Sequence, residues 1–434
     1  MSTKQNIITH ALSDNQQGIF FEVMRNSHPI YISQMCLIFR GSFNYKLFQK
    51  AYHLIIKRHE ILRSAIIMDR ASAGIFSLQS IYPQVNPIMA FYDYENLPPQ
   101  QKNKLFKLFL NDDFLTPFNF NIPPLMRLTT IRFSDQEHRI IWTRHHILLD
   151  GASVALILSE LLTIYSALLH NMSWQLPICY SYHDIKEKLC LKDRIKAALY
   201  WKKQLNLFSE SALLPAIPQN NTTTNNFSQL QSELGGDDYQ ILLAFVDRWE
   251  LTINSILQAA WGIVLSHYSN NRHVIFGSVR AYPKEETADA VGLFINTLPL
   301  SLTINPNSVV VDYLRAVREQ GKALREYVHT PLSDLREWCG LALDEMLYQS
   351  IVDYKPYSLN KLIKTQFSDM NCESSLRLTI PYPLVIEGVR WSRYLVIDFS
   401  HPWLKSTRQR AKCLTPTVLR PARCAERASV CLPQ

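Results

Sequence analysis

The spacing of apolar residues along the chain predicts a mixture of helices and strands. Residues 44–65 carry apolar side chains at helical spacing and predict an amphipathic helix. Residues 124–149 contain two apolar runs separated by the polar segment 134–138, which predicts a strand, a turn and a second strand. A strongly apolar helical pattern follows at residues 152–170, and either Asp150 or Gly151 is suited to begin that helix.

The second half of the sequence repeats this mixture after a break. Residues 206–229 are rich in Pro, Asn and Thr without periodicity, which is typical of a linker or a long surface loop. Beyond it the pattern predicts a helix at 237–268, a strand at 273–279, an apolar strand at 290–300 and a helix at 308–327. Both halves mix helices with strands, which favours two α/β lobes that meet at a cleft.

Length and composition indicate a globular protein. The 434 residues, 47% of them hydrophobic and 19% charged, are enough for two lobes with cores of their own. No apolar run approaches the about 18 residues that span a bilayer, and the first residues lack the apolar stretch of a secretory signal. The eight cysteines form no C-x-x-C pair or zinc-ligand spacing. We therefore expect reduced thiols, a cytoplasmic location and no membrane partner.

The net charge of +8 comes largely from one segment. Residues 402–434 contain one acidic residue, Glu426, and seven basic ones: Lys405, Arg408, Arg410, Lys412, Arg420, Arg423 and Arg427. The rest of the chain has no basic stripe of the kind that contacts phosphates, so we expect no nucleic-acid partner. The tail 401–434 lacks hydrophobic periodicity and contains three cysteines. It predicts either out-of-frame translation, which we favour, or a disordered extension.

The segment Arg144–Ser153, with the sequence RHHILLDGAS, is the strongest candidate for a site. Adjacent residues of a strand point to opposite faces, so His145 and His146 are poorly placed to bind one metal ion, and we expect none. One imidazole can face a cavity, where its ordinary pKa near 6.5 suits it to accept or position a proton. The alternative is a half-buried strand end with a core histidine and an N-cap Asp150.

The H-H-x-x-x-D-G run resembles the core motif of the condensation domains of nonribosomal peptide synthetases. Other segments resemble motifs of that family in the same order, from about residue 11 to about residue 390. These segments are LSDNQ (12–16), RHEILRSAI (58–66), YHDI (182–185), YWKKQL (200–205), VIFGSVRA (274–281), VGLFINTLPL (291–300) and HTPLSDLREW (329–338).

This resemblance implies an α/β fold of two chloramphenicol acetyltransferase-like lobes, arranged as a V-shaped pseudo-dimer with a central tunnel. We place the N-terminal lobe, which carries the motif, at residues 1–175 and the C-terminal lobe at 176–400. The family normally continues with a further strand and a helix that close the second lobe, and the tail replaces them here. The implied reaction is attack of a carrier-bound amino acid's amine on a carrier-bound acyl or peptidyl thioester.

The resemblance also assigns roles to residues. It implies that His146 takes or orients the proton of the attacking amine, and that Asp150 shapes the site through an ion pair with Arg63. The alternative for Asp150 is that it only caps the helix. We expect Gly151 to leave room for the substrate arm, or to be a simple turn glycine, and His145 to be structural.

Two further residues are candidates for the substrate tunnel, Ser153 and Asn296. We expect Asn296 to bond backbone groups rather than to serve as an oxyanion donor.

The implied substrates arrive on phosphopantetheine arms, and no cofactor is attached to the chain itself. The segment LGGDD at 234–238 resembles a carrier's attachment motif, but Asp238 stands where the modified serine would be, so we interpret it as a turn. Carrier domains are the expected partners in trans, with adenylation domains as further candidates, and we expect a monomer.

Three alternatives remain open. A coenzyme-A-dependent acyltransferase shares H-x-x-x-D on the same lobes. Epimerisation is a related activity with the same two histidines, although VGLFINTLPL favours condensation. A degenerate domain that only docks carriers is the third alternative, and the tail favours it.

Overall fold

The computed structural model describes residues 7–71, 74–189, 193–205, 228–287, 289–341, 345–356, 371–390 and 394–401. The strands are β1 Ile8–Ala11, β2 Ile32–Arg40, β3 Ser64–Ala71, β4 Gly74–Ile81, β5 Ile88–Asp93, β6 Met126–Ser134, β7 Glu137–His145, β8 Ser228–Gly235, β9 His273–Ala281, β10 Ile295–Thr303, β11 Ser350–Lys355, β12 Asn371–Leu378, β13 Leu384–Arg390 and β14 Tyr394–His401. The helices are α1 Asp14–Arg25, α2 Tyr45–Arg58, α3 Pro99–Leu115, α4 Gly151–Leu169, α5 Tyr182–Leu189, α6 Arg194–Leu205, α7 Gly236–Arg248, α8 Ile253–Ser269, α9 Lys284–Thr287, α10 Val310–Ala323 and α11 Leu332–Cys339.

The chain divides into two compact units that are discontinuous in sequence. The first comprises Met1–Leu191, Pro283–Phe294 and Leu359–Pro381, and the second comprises Lys192–Tyr282, Ile295–Ser358 and Tyr382–Gln434. The division therefore differs from a single boundary after residue 175, because two later segments of the chain join the first unit. The predicted linker at 206–229 lies outside the described residues up to 227, and the tail lies outside them from 402 onwards.

The first unit is built around a sheet with the strand order β12-β2-β7-β6-β5. Strand β12 pairs antiparallel with β2, with Leu376 opposite Met35, so a late segment completes the sheet of the first half. Side chains of β2 alternate between the two faces. Cys36 packs against the α3 side with Phe106 and Ile131, whereas the Phe39 ring lies 6.2 Å from that of Phe48 on α2. A second sheet of this unit has the order β1-β4-β3.

The second unit is built on a sheet with the order β10-β9-β11-β13-β14-β8. Helix α8 lies against it, and the indole N–H of Trp261 donates to Ser350 Oγ at 3.0 Å. The Tyr313 hydroxyl of α10 donates to the carbonyl of Ala259 on α8 at 3.0 Å. Gly236, with φ of +59°, turns the end of β8 directly into α7, so LGGDD is a junction of strand and helix.

Several predicted elements differ from the structure in their bounds, and the cause is visible for three of them. The helix predicted at 44–65 ends at Arg58, because His59 is extended and residues 60–63 form a 3-10 turn before β3. The helix predicted at 237–268 is two helices, since Thr252 and Ser255 form a capping box that begins α8. The strand predicted at 290–300 begins at Ile295, because residues 292–294 bond to the start of α4 instead.

Helix α4 corrects the expectation that no segment matches a membrane span. Its 19 residues are long and apolar enough by length and composition, but 56% of the apolar window is buried inside the protein. Glu160, in the middle of this helix, is also buried, with ion-pair partners. The helix is therefore a core helix that packs beside α2.

Candidate active site

The H-H-x-x-x-D-G segment forms the turn between β7 and α4. Strand β7 ends at His145, and Asp150 is the N-cap of α4. The backbone N–H of His146 donates to the carbonyl of Tyr31 at 2.8 Å. The side-chain amide of Gln16 donates to the carbonyl of Ile147 at 3.1 Å. The turn is therefore held by segments distant in sequence as well as by its own strand and helix.

The residues of this turn fall into two groups by exposure. From Arg144 to Ser153 only His146, Gly151 and Ala152 are not buried. His145 and Asp150, at 1% and 3% exposure, are enclosed by the protein. Of the two histidines, only His146, to which the resemblance assigns the role of base, is partly exposed.

His145 lies among aromatic rings. Its ring centroid is 4.8 Å from that of Phe120, which it meets edge to face. Its Nδ1 accepts from the N–H of Ile147 at 3.2 Å, which closes the turn locally. Burial, together with the neighbouring His146, lowers the pKa of His145 to about 3. A neutral, enclosed imidazole of this kind fits a structural role.

Asp150 joins the start of α4 to a segment far along the chain. Its Oδ1 accepts from the N–H of Ser153 and its Oδ2 from the N–H of Phe294, both at 2.8 Å. Its own N–H donates to the carbonyl of Gly292 at 3.0 Å. Burial raises the pKa of Asp150, although these N–H groups act in the opposite direction because they stabilise the carboxylate.

The expected ion pair between Asp150 and Arg63 is wrong. The Arg63 guanidinium donates to the carbonyls of Ile56, Tyr82 and Pro83. The Asp150 oxygens are used by backbone N–H groups, as described above. Arg63 therefore shapes the 3-10 turn and the segment after β4, and it does so through neutral acceptors.

Ser153 does not present its hydroxyl to a passage. The hydroxyl donates to the carbonyl of Gly292 at 2.8 Å and accepts from the N–H of the same residue at 3.0 Å. Ser153 is buried, and both of its hydrogen-bonding functions are used by one backbone unit. Its assignment as a tunnel residue is corrected, since it fastens α4 to the segment at 292.

Asn296 belongs to the second unit, where its side chain bonds backbone groups as expected. Its amide donates to the carbonyls of Val328 and Thr330 at 2.9 and 2.7 Å. Its Oδ1 accepts from the N–H of Thr297 at 2.8 Å. Both amide hydrogens are used by these carbonyls, which leaves neither to donate to an oxyanion.

The contacts of Gln16 and Tyr182 in this region were not predicted, although both residues lie in the motifs LSDNQ and YHDI. Gln16 and Ser13 form a capping box at the start of α1, which their spacing could have revealed. The same Gln16 amide reaches Ile147 across 131 residues of sequence, and no local pattern encodes that contact. Tyr182 packs so closely on Gly292 that a Cβ on Gly292 would lie 2.0 Å from the Tyr182 ring.

In the described part of the chain no group of His, Cys, Asp and Glu is arranged to hold a metal ion.

We predict that alanine destabilises the protein at one glycine of this region and has little effect at the other. Gly292→Ala places a methyl group inside the Tyr182 ring contact and should lower the free energy of unfolding by about 1–3 kcal/mol. Gly151→Ala, the matched control, meets no protein atom within 4 Å and should leave stability within about 0.5 kcal/mol. Urea unfolding of both variants measures this, and equal losses would contradict the close packing of Tyr182 on Gly292.

We predict that Asp150 and Arg63 act independently. Asp150→Asn sets an amide donor against one of two backbone donors and should cost about 1–3 kcal/mol of unfolding free energy. Arg63→Lys weakens different contacts, so a double-mutant cycle should give a coupling energy below about 0.5 kcal/mol. A coupling energy of several kcal/mol would show that the two side chains form an ion pair after all.

We predict that His145 makes stability depend on pH. Its folded pKa of about 3 lies below its ordinary 6.5, so its contribution is present above pH 6.5 and is lost as pH falls towards 3. The loss should approach about 1.4 kcal/mol per pH unit in that window. His145→Asn keeps an acceptor for Ile147 and does not titrate there. Unfolding measured at several pH values should show a flatter curve for the variant, and parallel curves would contradict the assignment.

Comparisons with known proteins identify the family. The family model described as Condensation domain matches residues 6–402. A linear gramicidin synthase of Brevibacillus parabrevis is 28% identical over 361 residues, and bacitracin synthase 3 of Bacillus licheniformis is 27% identical over 379. These matches cover 82% and 86% of this chain but only 5% and 6% of the relatives. The chain thus spans about a twentieth of the length of each of these two relatives.

Solved structures share the fold. The condensation domain of the monacolin K polyketide synthase MokA has a TM-score of 0.82 at 16% identity, covering 98% of this chain and 99% of that one. A starter condensation domain of rhizomide synthetase in complex with C8-CoA has a TM-score of 0.81 at 19% identity, covering 98% and 96%. The expected α/β fold is thereby confirmed. On the match across residues 6–402, the chain belongs to the condensation domain family, whose members are acyl-transferring enzymes.

Proposed function

We propose that this chain catalyses amide bond formation between a carrier-bound acyl or peptidyl thioester and a carrier-bound amino acid. The observation that carries the proposal is the exposure pattern of H-H-x-x-x-D-G. The structural members, His145 and Asp150, are buried, whereas His146 is partly exposed and Gly151 is exposed at the turn before α4. Partial exposure of the second imidazole is what contact with a substrate amine requires, and the buried His145 does not offer it.

His146 is the group we assign to the attacking amine. An α-amine has an ordinary pKa of about 7.7–8.0 and attacks a thioester only in its neutral form. An imidazole beside it accepts or orients the proton as the nitrogen bonds to the carbonyl carbon, and the pantetheine thiolate leaves. General-base action of this kind typically contributes about 10²–10⁴-fold to the rate.

The substrates we propose are presented on the phosphopantetheine arms of carrier proteins. Gly151 is exposed, and no protein atom lies within 4 Å of the position a Cβ would take, so the protein's own packing does not require a glycine there. We assign that space to a substrate arm. Partner carriers, loaded by adenylation domains, would supply both thioesters, in keeping with the peptide synthases among the relatives.

A second candidate is acyl transfer from coenzyme A. The neighbour from rhizomide synthetase is a starter condensation domain in complex with C8-CoA. Coenzyme A carries the same pantetheine thiol as a carrier, so a site for one arm has the chemistry to accept the other. In this case the donor is free in solution and one carrier suffices.

The test is a reconstituted assay with one carrier loaded with an acyl group and a second loaded with an amino acid, followed by mass spectrometry of the product. We expect an amide on the second carrier, and a loss of about 10²–10⁴-fold in rate for His146→Ala. Gly151→Ala should lose rate while keeping its unfolding free energy, because its methyl group meets the substrate arm and no protein atom.

Replacing the loaded donor carrier by octanoyl-CoA distinguishes the two candidates. Product formed from the loaded donor carrier but not from octanoyl-CoA supports condensation between carriers. Product formed from octanoyl-CoA supports the second candidate. A folded chain without product from either donor would leave a carrier-docking role and overturn the proposed catalysis.

A further inference from the structure

A thiol, an imidazole and a carboxylate are aligned in the first unit, away from the H-H-x-x-x-D-G turn. The Cys179 Sγ lies 3.5 Å from Nδ1 of His59. On the other side of the ring, Nε2 lies 2.6 Å from Oε2 of Glu160. A nucleophile beside an imidazole that a third group orients is the arrangement of triad-type covalent catalysis.

The carboxylate determines which imidazole nitrogen is free. Glu160 also accepts from the Arg58 guanidinium at 3.1 Å. Burial alone would raise the pKa of Glu160, but its bonds to His59 and Arg58 outweigh that effect and lower it. An ionised carboxylate only accepts, so Nε2 carries a proton. In the neutral ring Nδ1 therefore directs its lone pair at Cys179.

The imidazole is also prepared to hold a second proton. Burial alone would lower the pKa of His59, but the hydrogen bonds with Cys179 and Glu160 outweigh burial and raise it. Proton transfer from the thiol to Nδ1 gives a thiolate beside an imidazolium that Glu160 stabilises. The thiol has one other acceptor, the carbonyl of Arg58 at 3.5 Å.

Exposure distinguishes Cys179 from the other described free cysteines. Cys179 is exposed, whereas Cys36 is buried and Cys339 is partly buried. Burial raises the pKa of Cys36 to about 11 and also raises that of Cys339. His59 and Glu160 are themselves enclosed, each with a side-chain exposure of 4%. An accessible sulfur is thus backed by a buried base.

The position of the cluster separates it from the proposed condensation site. Glu160 follows Asp150 by ten residues on α4, which is about 15 Å along the helix axis. A shared metal ion does not explain the cluster, because Cys179 and Glu160 contact opposite nitrogens of one ring.

We infer that Cys179, His59 and Glu160 form a second nucleophilic site, which accepts an acyl group from a thioester onto the sulfur of Cys179. The thiol proton passes to Nδ1 of His59 as the sulfur attacks the thioester carbonyl. The new bond joins Sγ to the acyl carbon, the bond from that carbon to the pantetheine sulfur breaks, and the proton returns to the leaving thiolate. The choice of a thioester as the electrophile rests on the proposed function.

The first test compares the alkylation rate of Cys179 by iodoacetamide in the folded protein and in concentrated urea, resolved by peptide mass spectrometry. If exposure alone controlled the reaction, Cys179 would be alkylated no faster in the folded protein than in urea. We expect about a tenfold faster reaction in the folded protein, because only there does the His59 imidazole lie beside the sulfur as a base. Cys339 in the same sample should react more slowly when folded. A folded rate for Cys179 at or below the unfolded rate overturns the inference without any variant.

Variants then assign the effect to the two partners. Glu160→Gln and His59→Gln should each reduce the folded-state rate of Cys179 by about tenfold, towards the rate in urea. The matched control is His53→Gln, since His53 is an exposed histidine of α2 whose Nδ1 bonds the carbonyl of Gln49, one turn back on the same helix. Equal rates in all three folded variants overturn the roles of His59 and Glu160.

The second test offers an acyl thioester of N-acetylcysteamine and seeks the acyl mass on the peptide that contains Cys179. We expect an adduct that hydroxylamine removes and that Cys179→Ser lacks. His146→Ala should slow condensation by about 10²–10⁴-fold and leave this adduct unchanged, so failure of the proposed function and failure of this site are distinguishable. A chain that is alkylated rapidly but never acylated overturns the assignment of a thioester substrate.

Discussion

The hydrogen bonds between the start of α4 and residues 292–294 are the constraint on which the site depends. Asp150 accepts the N–H of Phe294 across 144 residues of sequence, and Ser153 holds both polar groups of Gly292. These bonds fix the first turn of the helix from outside, while the neighbouring strand end and Gln16 fix the other side of the turn. An enclosed carboxylate that left either oxygen unsatisfied would be costly, so the geometry at this junction is closely defined. That junction therefore determines the position of His146.

Local rules predict much of this region and fail where the partner is distant. The strand before His145, the N-cap at Asp150 and the long helix after it follow from apolar spacing and capping preferences. The partner of Asp150 does not, because a backbone N–H at Phe294 has no signature in sequence, whereas an arginine such as Arg63 invites a pairing by charge. Ser153 was misplaced for the same reason. The break between α7 and α8 was encoded by Thr252 and Ser255, but the apolar pattern on both sides obscured it.

Helix α4 holds two buried carboxylates in different ways. Asp150 is surrounded by backbone N–H groups, and burial raises its pKa. Glu160 is paired with His59 and Arg58, and its pKa is lowered. The bonds of Asp150 position the backbone around His146. The bonds of Glu160 orient the His59 imidazole towards the exposed thiol of Cys179. Whether a buried carboxylate positions the backbone or supports a neighbouring base thus depends on whether neutral dipoles or cations surround the carboxylate.

The pairing of β12 with β2 has a consequence for how the protein reaches its native state. The sheet that carries β7, and with it the turn at His146, gains one edge from residues 371–378. During synthesis the N-terminal residues emerge well before that strand, so their sheet has an open edge while the intervening chain is made. Closing a contact over such a separation is slow compared with helix formation. The first unit is consequently completed only after β12 has been made, although most of its strands lie in the first half of the chain.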